Sequence, residues 1–499
     1  MCTMKTPGVY IVEKSAFPNS VVEVATAVPA FIGHTEKAIT GDKSLLNKPW
    51  KITSMAEFHT YFGGAPDPIF SINETTKSSD FVFNKKDYEL KQETGKYLLY
   101  YSMLMFYANG GGLCYIVSVG DYKTNINADL MTAGISTLIQ EQEPTLIVIP
   151  ETTLLSDSDT SANVQRAMLN HCGYKMKNRF AILDIYEGYK ERKDLSGDKV
   201  LDFRNKIGSN FLGFGAAYYP WLNTSIIKDT DLSYLNISNK DVLQAILTTE
   251  LISERKTMDE KTKADIQTKI AEIIKKDLLP EDQSTVNKTL MAISPTFNSI
   301  IRTIKEKLNL IPPGGAIAGI YTMVDNIRGV WKAPANVSLS SVVSPAVNIT
   351  HDDQEELNAP INGKSINVIR AFTGEGTLIW GARTLDGNSL DWRYINVRRT
   401  LIMLEESIRI ASKAYVFEPN VANTWITLKN MISNFLTDIW KRGGLAGASP
   451  DDAFRIHIGL GETMTPEDIL EGILRITILV AITRPTEFIE ITFQQQMQK

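Results

Sequence analysis

The 499-residue chain is 43% hydrophobic and 22% charged with a net charge of −5: ordinary for a folded protein, and too long for a single compact core. Acidic and basic residues are interspersed, so the basic face that phosphate neutralisation requires is missing and nucleic acid is not an expected partner. Three widely spaced cysteines, Cys2, Cys114 and Cys172, imply no disulfide framework, and with no apolar leader at MCTMKTPGVY they fit folding in a reducing cytoplasm.

In chain order, Pro7–Glu13 (PGVYIVE) has a short strand pattern, although residues this near a terminus are loose unless another strand holds them. Val24–Gly33 reads as extended and buried, and ITSMAEFHTYFGG as a helical piece stopped by Gly63-Gly64. Asp67 to Thr94 is polar and irregular, the pattern of a surface excursion. Tyr97–Ala108 is apolar on nearly all sides, which predicts a helix buried by neighbours, and Leu113–Val117 follows as a core strand. From Pro144 a βαβ rhythm appears, with strands at 145–149, 180–185 and within 211–221, and a helix marked by Val164, Met168 and Leu169. Continuous apolar strands alternating with helices predict a mainly parallel, three-layer α/β sheet.

Asn223–Leu310 changes character. It is rich in Lys, Glu and Asp, with helical spacing at Val242, Ile246 and Leu247 and at Ile300, Ile301, Ile304 and Leu308, so a helical insertion with a solvated face is expected. After Pro312-Pro313 the chain returns to the core, and Thr377–Trp380 is a short strand closed by Gly381. Leu401, Leu404, Ile408, Ala411 and Tyr415 then share one side of a helix. Arg398, Arg399, Glu405, Glu406 and Lys413 fall largely elsewhere, and Pro419 stops the helix. A second amphipathic helix carries Trp425, Leu428, Ile432, Phe435, Leu436 and Ile439, with Asn423 or Thr424 as candidate cap and Lys441, Arg442 and Gly443 at its end. The closing strands end with Ile489, Ile491 and Phe493 alternating with Glu490, Thr492 and Gln494. The most apolar late run, Ile473 to Ile482, is broken by Arg475 and too short to span a bilayer.

Several long words stand in one order along this chain: TPGVYIVE…VATAVPAFIGHTEKA, ITSMAEFHTYFGG, NGG…CYIV, and WGARTL…WRYINVRR…FEPN. Together they resemble the contractile tail sheath proteins of phages, R-type pyocins, extracellular contractile injection systems and type VI secretion. The resemblance covers both ends and the middle. It leaves out the stretch near 67–94 and the insertion near 223–310, and departs from the pattern after FEPN, where Val421 replaces a common acidic residue.

The resemblance implies an α/β and α+β multidomain chain. Residues 1–20 would be an N-terminal arm. Residues 21–355 would be an outer region, with a subtilisin-like three-layer α/β core at about 140–222 and 312–355 and the insertion at about 223–310. An α+β C-terminal sheath domain at 356–482 and a C-terminal arm at 483–499 would complete it. That kinship makes a hydrolase the alternative to be weighed. The chain has no G-x-S-x-G, however, and its histidines, His34, His59, His171, His351 and His457, sit in no recognisable catalytic setting. Asn362-Gly363-Lys364-Ser365 lacks the earlier glycine of a phosphate loop, that position being Asn358, and reads as a turn. His171-Cys172 is adjacent rather than at ligand spacing, and His351-Asp352-Asp353 reads as a loop or helix cap. No catalytic, cofactor or metal site is expected.

The resemblance implies instead a structural subunit that polymerises around an inner tube and drives it forward by contraction. Its partners would be itself, in a helical polymer of hexameric rings, the tube, baseplate and terminator or cap proteins, and sheath paralogues, without membrane insertion. The arms would link neighbours by strand exchange through Gly8, Val9, Tyr10, Ile11, Val12 and Glu13, and through Glu487, Phe488, Ile489, Glu490, Ile491, Thr492 and Phe493. The second amphipathic helix would grip the tube through Lys429, Asn430, Asn434, Asp438, Lys441 and Arg442. The protein would fold in the bacterial cytoplasm and join a virion tail or a released phage-tail-like particle.

Overall fold

The computed structural model describes residues 20–76, 79–253, 260–275 and 278–490. The expected arm strand at Gly8–Glu13 and residues Ile491, Thr492 and Phe493 lie outside them. Two compact units divide the chain: a larger one of residues 26–328 and 333–398, and a smaller one built from residues up to 25, 329–332 and 399 onward. The division falls at 398/399, not at the expected 355/356, because two strands after residue 366 extend the large sheet.

The larger unit begins with β1 (Pro29–Thr35), buried throughout, β2 (Trp50–Ile52) and α1 (Met55–Phe62). The Ser54 side chain accepts from the Glu57 N–H at the start of α1, and Gly63 ends it at φ +88°, a left-handed conformation glycine adopts without penalty. Next come β3 (Ile69–Glu74), β4 (Phe81–Phe83) and β5 (Lys86–Thr94), an antiparallel sheet in the order β3-β5-β4. This corrects the expected irregular excursion. Phe70 and Ile72 are two apart and Leu90 pairs opposite Ile72, so one face of a strongly polar stretch is dry.

The α/β body follows as α2 (Leu99–Ala108), β6 (Cys114–Asp121), α3 (Ala128–Thr137), β7 (Leu146–Val148), α4 (Ser158–Asn170), β8 (Phe180–Asp184), α5 (Lys199–Lys206) and β9 (Gly215–Tyr219). Four helices intervene: α6 (Lys240–Thr248), α7 (Glu260–Glu272), α8 (Pro280–Ile293) and α9 (Pro295–Leu308). Then α10 (Gly314–Arg328), α11 (His351–Asn358), β10 (Asn367–Phe372) and β11 (Gly376–Trp380) complete the unit. The main sheet runs β11-β10-β9-β8-β7-β1-β6-β2, edged beyond β11 by Val337–Ser338. From β10 to β6 every pairing is parallel.

Strand alternation sorts the core into two layers. Ala181 and Leu183 of β8 join Ile32, Val117 and Ile147 under α3, α4, α5 and α11. Phe180 and Ile182 join Phe31, Ile116 and Val148 under α1, α2 and α10. Helices therefore cover both faces, as the continuous apolar strands required. The two stretches outside the family-like text do not stand alone. Phe70, Ile72, Phe81 and Leu90 share one core with Leu243, Ile246, Ile266, Val286, Phe297, Ile300 and Ile304, so α6–α9 pack with the β3-β5-β4 sheet as one composite module.

In the smaller unit α12 (Ile395–Ser412, whose first turn belongs to the larger unit) and α13 (Ala422–Lys441) bring Met403, Leu404, Leu428, Met431, Ile432, Phe435, Leu436 and Ile439 into one core. A two-stranded sheet of β12 (Phe454–His457) and β13 (Thr477–Val480) lies in the same cluster. Two expectations are corrected. α13 starts right after Val421 with no side-chain cap, and Thr424 Oγ donates back to the Pro419 carbonyl at 2.8 Å. Arg398 and Arg399 are buried, and the Arg398 guanidinium lies 3.7 Å from the Trp392 ring and 4.3 Å from that of Phe214. No described helix is long and apolar enough to cross a membrane.

Candidate functional site

An open parallel sheet places its ligands outside the carboxyl ends of its strands, where the strand order reverses. Here that point lies at β1, with β6 on one side and β7 on the other. His34 near the end of β1 meets Glu151, just past β7, at 2.6 Å between Nδ1 and Oε2, and both side chains are inaccessible to solvent. The Glu151 carboxylate also accepts from the backbone N–H groups of His34 (3.0 Å), Leu98 (3.3 Å) and Leu99 (3.4 Å), the last two at the start of α2. A Cβ on Gly33 would stand 3.0 Å from Leu99 and 3.1 Å from the Glu151 carboxyl, so the crevice is filled. One strand further on, Asp184 accepts from the Gly314 N–H at 2.8 Å at the start of α10; burial pushes its carboxyl up to about 7 against that hydrogen bond.

These groups tie strand ends to helix starts. Sequence reading missed the His34–Glu151 pair, whose partners are 117 residues apart; the one local signal was a carboxylate directly after the apolar run LIVIP. His171 receives the Arg179 guanidinium on Nε2 at 2.8 Å, because arginine can only donate, and burial followed by the Arg179 charge pulls its pKa down to about 3. His351 opens α11 behind a Thr350–Asp353 capping box, and Gly363 turns at φ +74° beside Lys364, whose amine reaches the Arg204 carbonyl. The suspected motifs are thus a helix start and a turn.

The other candidate surface belongs to the smaller unit. Lys429, Asn430, Asn434, Asp438, Lys441 and Arg442 are all exposed on or just past α13, opposite the buried stripe. Arg442 is already engaged: it pairs with Glu23 at 2.5 Å and Asp438 at 3.1 Å and lies 5.0 Å from the Trp331 ring. It fastens the entering segment, where the Val24 N–H also donates to Ser407 Oγ at 3.1 Å. In the small sheet Phe454 pairs with Val480 and Ile456 with Ile478, turning apolar side chains inward and Arg455 and Leu479 outward. Among the described residues no third strand joins it. Just past β13, Ile482 makes an isolated antiparallel bridge with Leu445, the Ala446 N–H donating to the Ala481 carbonyl at 2.7 Å and the Thr483 N–H to that of Gly444 at 3.3 Å; from residue 484 to Glu490 no strand is formed, Phe488, Ile489 and Glu490 are exposed and Glu487 is half-buried.

Comparison with known proteins fits this architecture. The family model for the phage tail sheath protein central domain matches residues 124–385, and that for the phage tail sheath C-terminal domain matches residues 388–496. The tail sheath protein of Vibrio phage KVP40 is 24% identical over 193 residues, 38% of this chain and only 27% of that protein's own length. Over 99% of this chain, the sheath of an extracellular contractile injection system (the PVC sheath complex in its contracted state) superposes with a TM-score of 0.60 at 25% identity, covering 99% of that chain. The contracted helical sheath of the anti-feeding prophage does so with the same score and identity, covering 100% of its chain. With the central-domain match alone covering more than half of its length, the chain belongs to the phage tail sheath protein family.

Proposed function

We propose that this protein is the structural subunit of a contractile sheath, polymerising around an inner tube and shortening to drive that tube through a target envelope. The observation that carries the reading is the full-length likeness to two contracted sheaths together with the family matches. The middle of the chain is then the subtilisin-like domain of the sheath fold, a reading supported by its parallel three-layer sheet. The hydrolase alternative finds no support at the strand-order reversal, where His34 is sealed from solvent and locked to Glu151.

Neighbouring copies are joined by strand addition. The two-stranded β12–β13 sheet is short of strands among the described residues, and sheets this small are marginal on their own. An arm from another copy, through Gly8–Glu13 or Glu487–Phe493, would complete it by pairing main chain to main chain. About five backbone hydrogen bonds at roughly 1 kcal/mol net give each arm on the order of 5 kcal/mol, repeated along the helix. Such links survive while folded bodies reorient, and the energy for contraction is stored in assembly. The exposed face of α13 grips the tube, and baseplate, terminator and paralogous sheath proteins complete the particle.

The test is electron microscopy of the purified chain and of a variant lacking residues 1–13, with and without the tube protein. Wide-bore cogged tubes from the intact chain and folded monomers from the deletion are the expected results. Normal sheaths from the deletion would sink the strand-exchange model. Charge reversal at Asp438 and Lys441 should reduce tube co-purification, and unchanged recovery would remove α13 as the gripping helix.

A further inference from the structure

We infer that the free monomer closes its own small sheet: residues 7–13 of the same chain lie along the outer edge of β13 until assembly exchanges them for the arm of a neighbour. The inference rests on the strand-addition reading above and names what occupies the edge before a neighbour does.

β13 offers a longer edge than its own four residues. The Ala481 N–H donates to the carbonyl of Ala453, directly before β12, at 2.8 Å, and the Ala481 carbonyl accepts from the Ala446 N–H at 2.7 Å. The Thr483 N–H donates to the Gly444 carbonyl at 3.3 Å. These bonds continue the ladder that pairs Thr477–Val480 with β12. Main-chain groups alternate sides along a strand, so Ile478, Val480 and Ile482 turn their N–H and C=O groups to the opposite edge. Among the described residues no strand pairs there.

The entering segment is fixed close to that edge. Val21 and Val24 pack on the same core as Ile476, Ile478, Val480 and Ile482. Glu23 is held by Arg442 at 2.5 Å, and the two residues after Arg442, Gly443 and Gly444, both accept from Thr483. The described chain begins at Ser20, and the seven residues back to Glu13 reach about 25 Å when extended, enough to cross this core. The seven residues 7–13 then match the edge 477–483 in length. Val9, Tyr10, Ile11 and Val12 favour strands, and Pro7 stands first, where a strand tolerates it.

Tethering selects the occupant. A strand on so short a linker meets its own edge at an effective concentration on the order of millimolar, which a separate free copy does not match. Inside an assembly a neighbour's arm is presented as closely, and trading one identical strand for another costs little, as in domain swapping. The self-closed sheet also shields a bare edge from pairing at random.

The test is hydrogen exchange on the full-length monomer, kept below the concentration at which it assembles. Beside it stand the chain lacking residues 1–13 and the full-length double variant Tyr10→Pro, Ile11→Pro, in which one missing N–H must face β13 in either register. The amides of Ile478, Val480 and Ile482 should exchange at least tenfold more slowly in the parent than in either variant, and equally slowly after tenfold dilution. A synthetic peptide of residues 1–13 should restore the protection to the truncated chain. Equal rates in the three monomers would overturn the inference, and protection that then appears on assembly would leave strand addition standing. No protection in monomer or sheath would sink both. Protection that fades on dilution would assign the edge to a second copy and overturn self-closure.

Discussion

The two units of this protein solve the same problem in opposite ways. The larger unit covers both faces of its sheet with helices and ties strand ends to helix starts through buried carboxylates at Glu151 and Asp184. The smaller unit has a compact helical core but, among the described residues, a sheet of two strands, an extended tail and a fully exposed phenylalanine. One is finished within its own chain. The other, in the strand-addition proposal, would be finished by neighbours, as suits a subunit that folds before it assembles and then holds on while it moves.

Substitutions can break this contrast, and the largest effect belongs to the larger unit. Glu151→Ala leaves the His34 ring and three backbone N–H groups without their acceptor in a dry site, and should cost about 3–5 kcal/mol by urea unfolding. Ile182→Ala, in the middle of β8, should cost about 2–5 kcal/mol. If either were nearly neutral, the sheet would not be the self-sufficient part.

Asp184 sharpens the picture through pH. Its folded pKa of about 7 lies above the ordinary value of 3.8, so between those values the folded state holds a proton that the unfolded state has released. Its contribution is greatest below about pH 4 and is lost as pH rises through 7, by a difference on the order of 4 kcal/mol. Asp184→Asn should remove that slope, read as the parent-minus-variant stability at pH 5 against pH 8. An unchanged slope would mean that the carboxyl is ionised at the start of α10.

Much of this was legible in the sequence where the local pattern and the fold agree. The apolar strands at 146–148 and 180–184 and the buried helix at 99–108 follow from periodicity, and the stop at Gly63 from backbone freedom. What was not legible depends on partners far away in the chain. The β3-β5-β4 sheet looks polar because only one of its faces is dry, and the helices that dry it lie some 150 residues on. Arg398 looks like a solvent-facing charge until Trp392 and Phe214 close over it. The exposed face of α13 was readable from the stripe opposite, whereas the use of Arg442 to fasten Glu23 was not.

The smaller unit should show the smallest effects on folding. Arg442→Ala should cost no more than about 1 kcal/mol, because its ion pairs are partly exposed, and should loosen the segment around Glu23 in limited proteolysis. Leu479→Ser, on the outward face of β13, should stay within about 0.5 kcal/mol of the parent in the monomer and yet impair sheath formation.

The central claim, that neighbours complete the small sheet, is tested most directly by hydrogen exchange at Phe454–His457 and Thr477–Val480. Rates would be compared between assembled sheath and the monomer lacking residues 1–13. Strand addition predicts that the outward amides of these strands gain at least tenfold protection on assembly, while the amides of β8 stay as protected as before. Equal exchange at β12 and β13 in both states would contradict it.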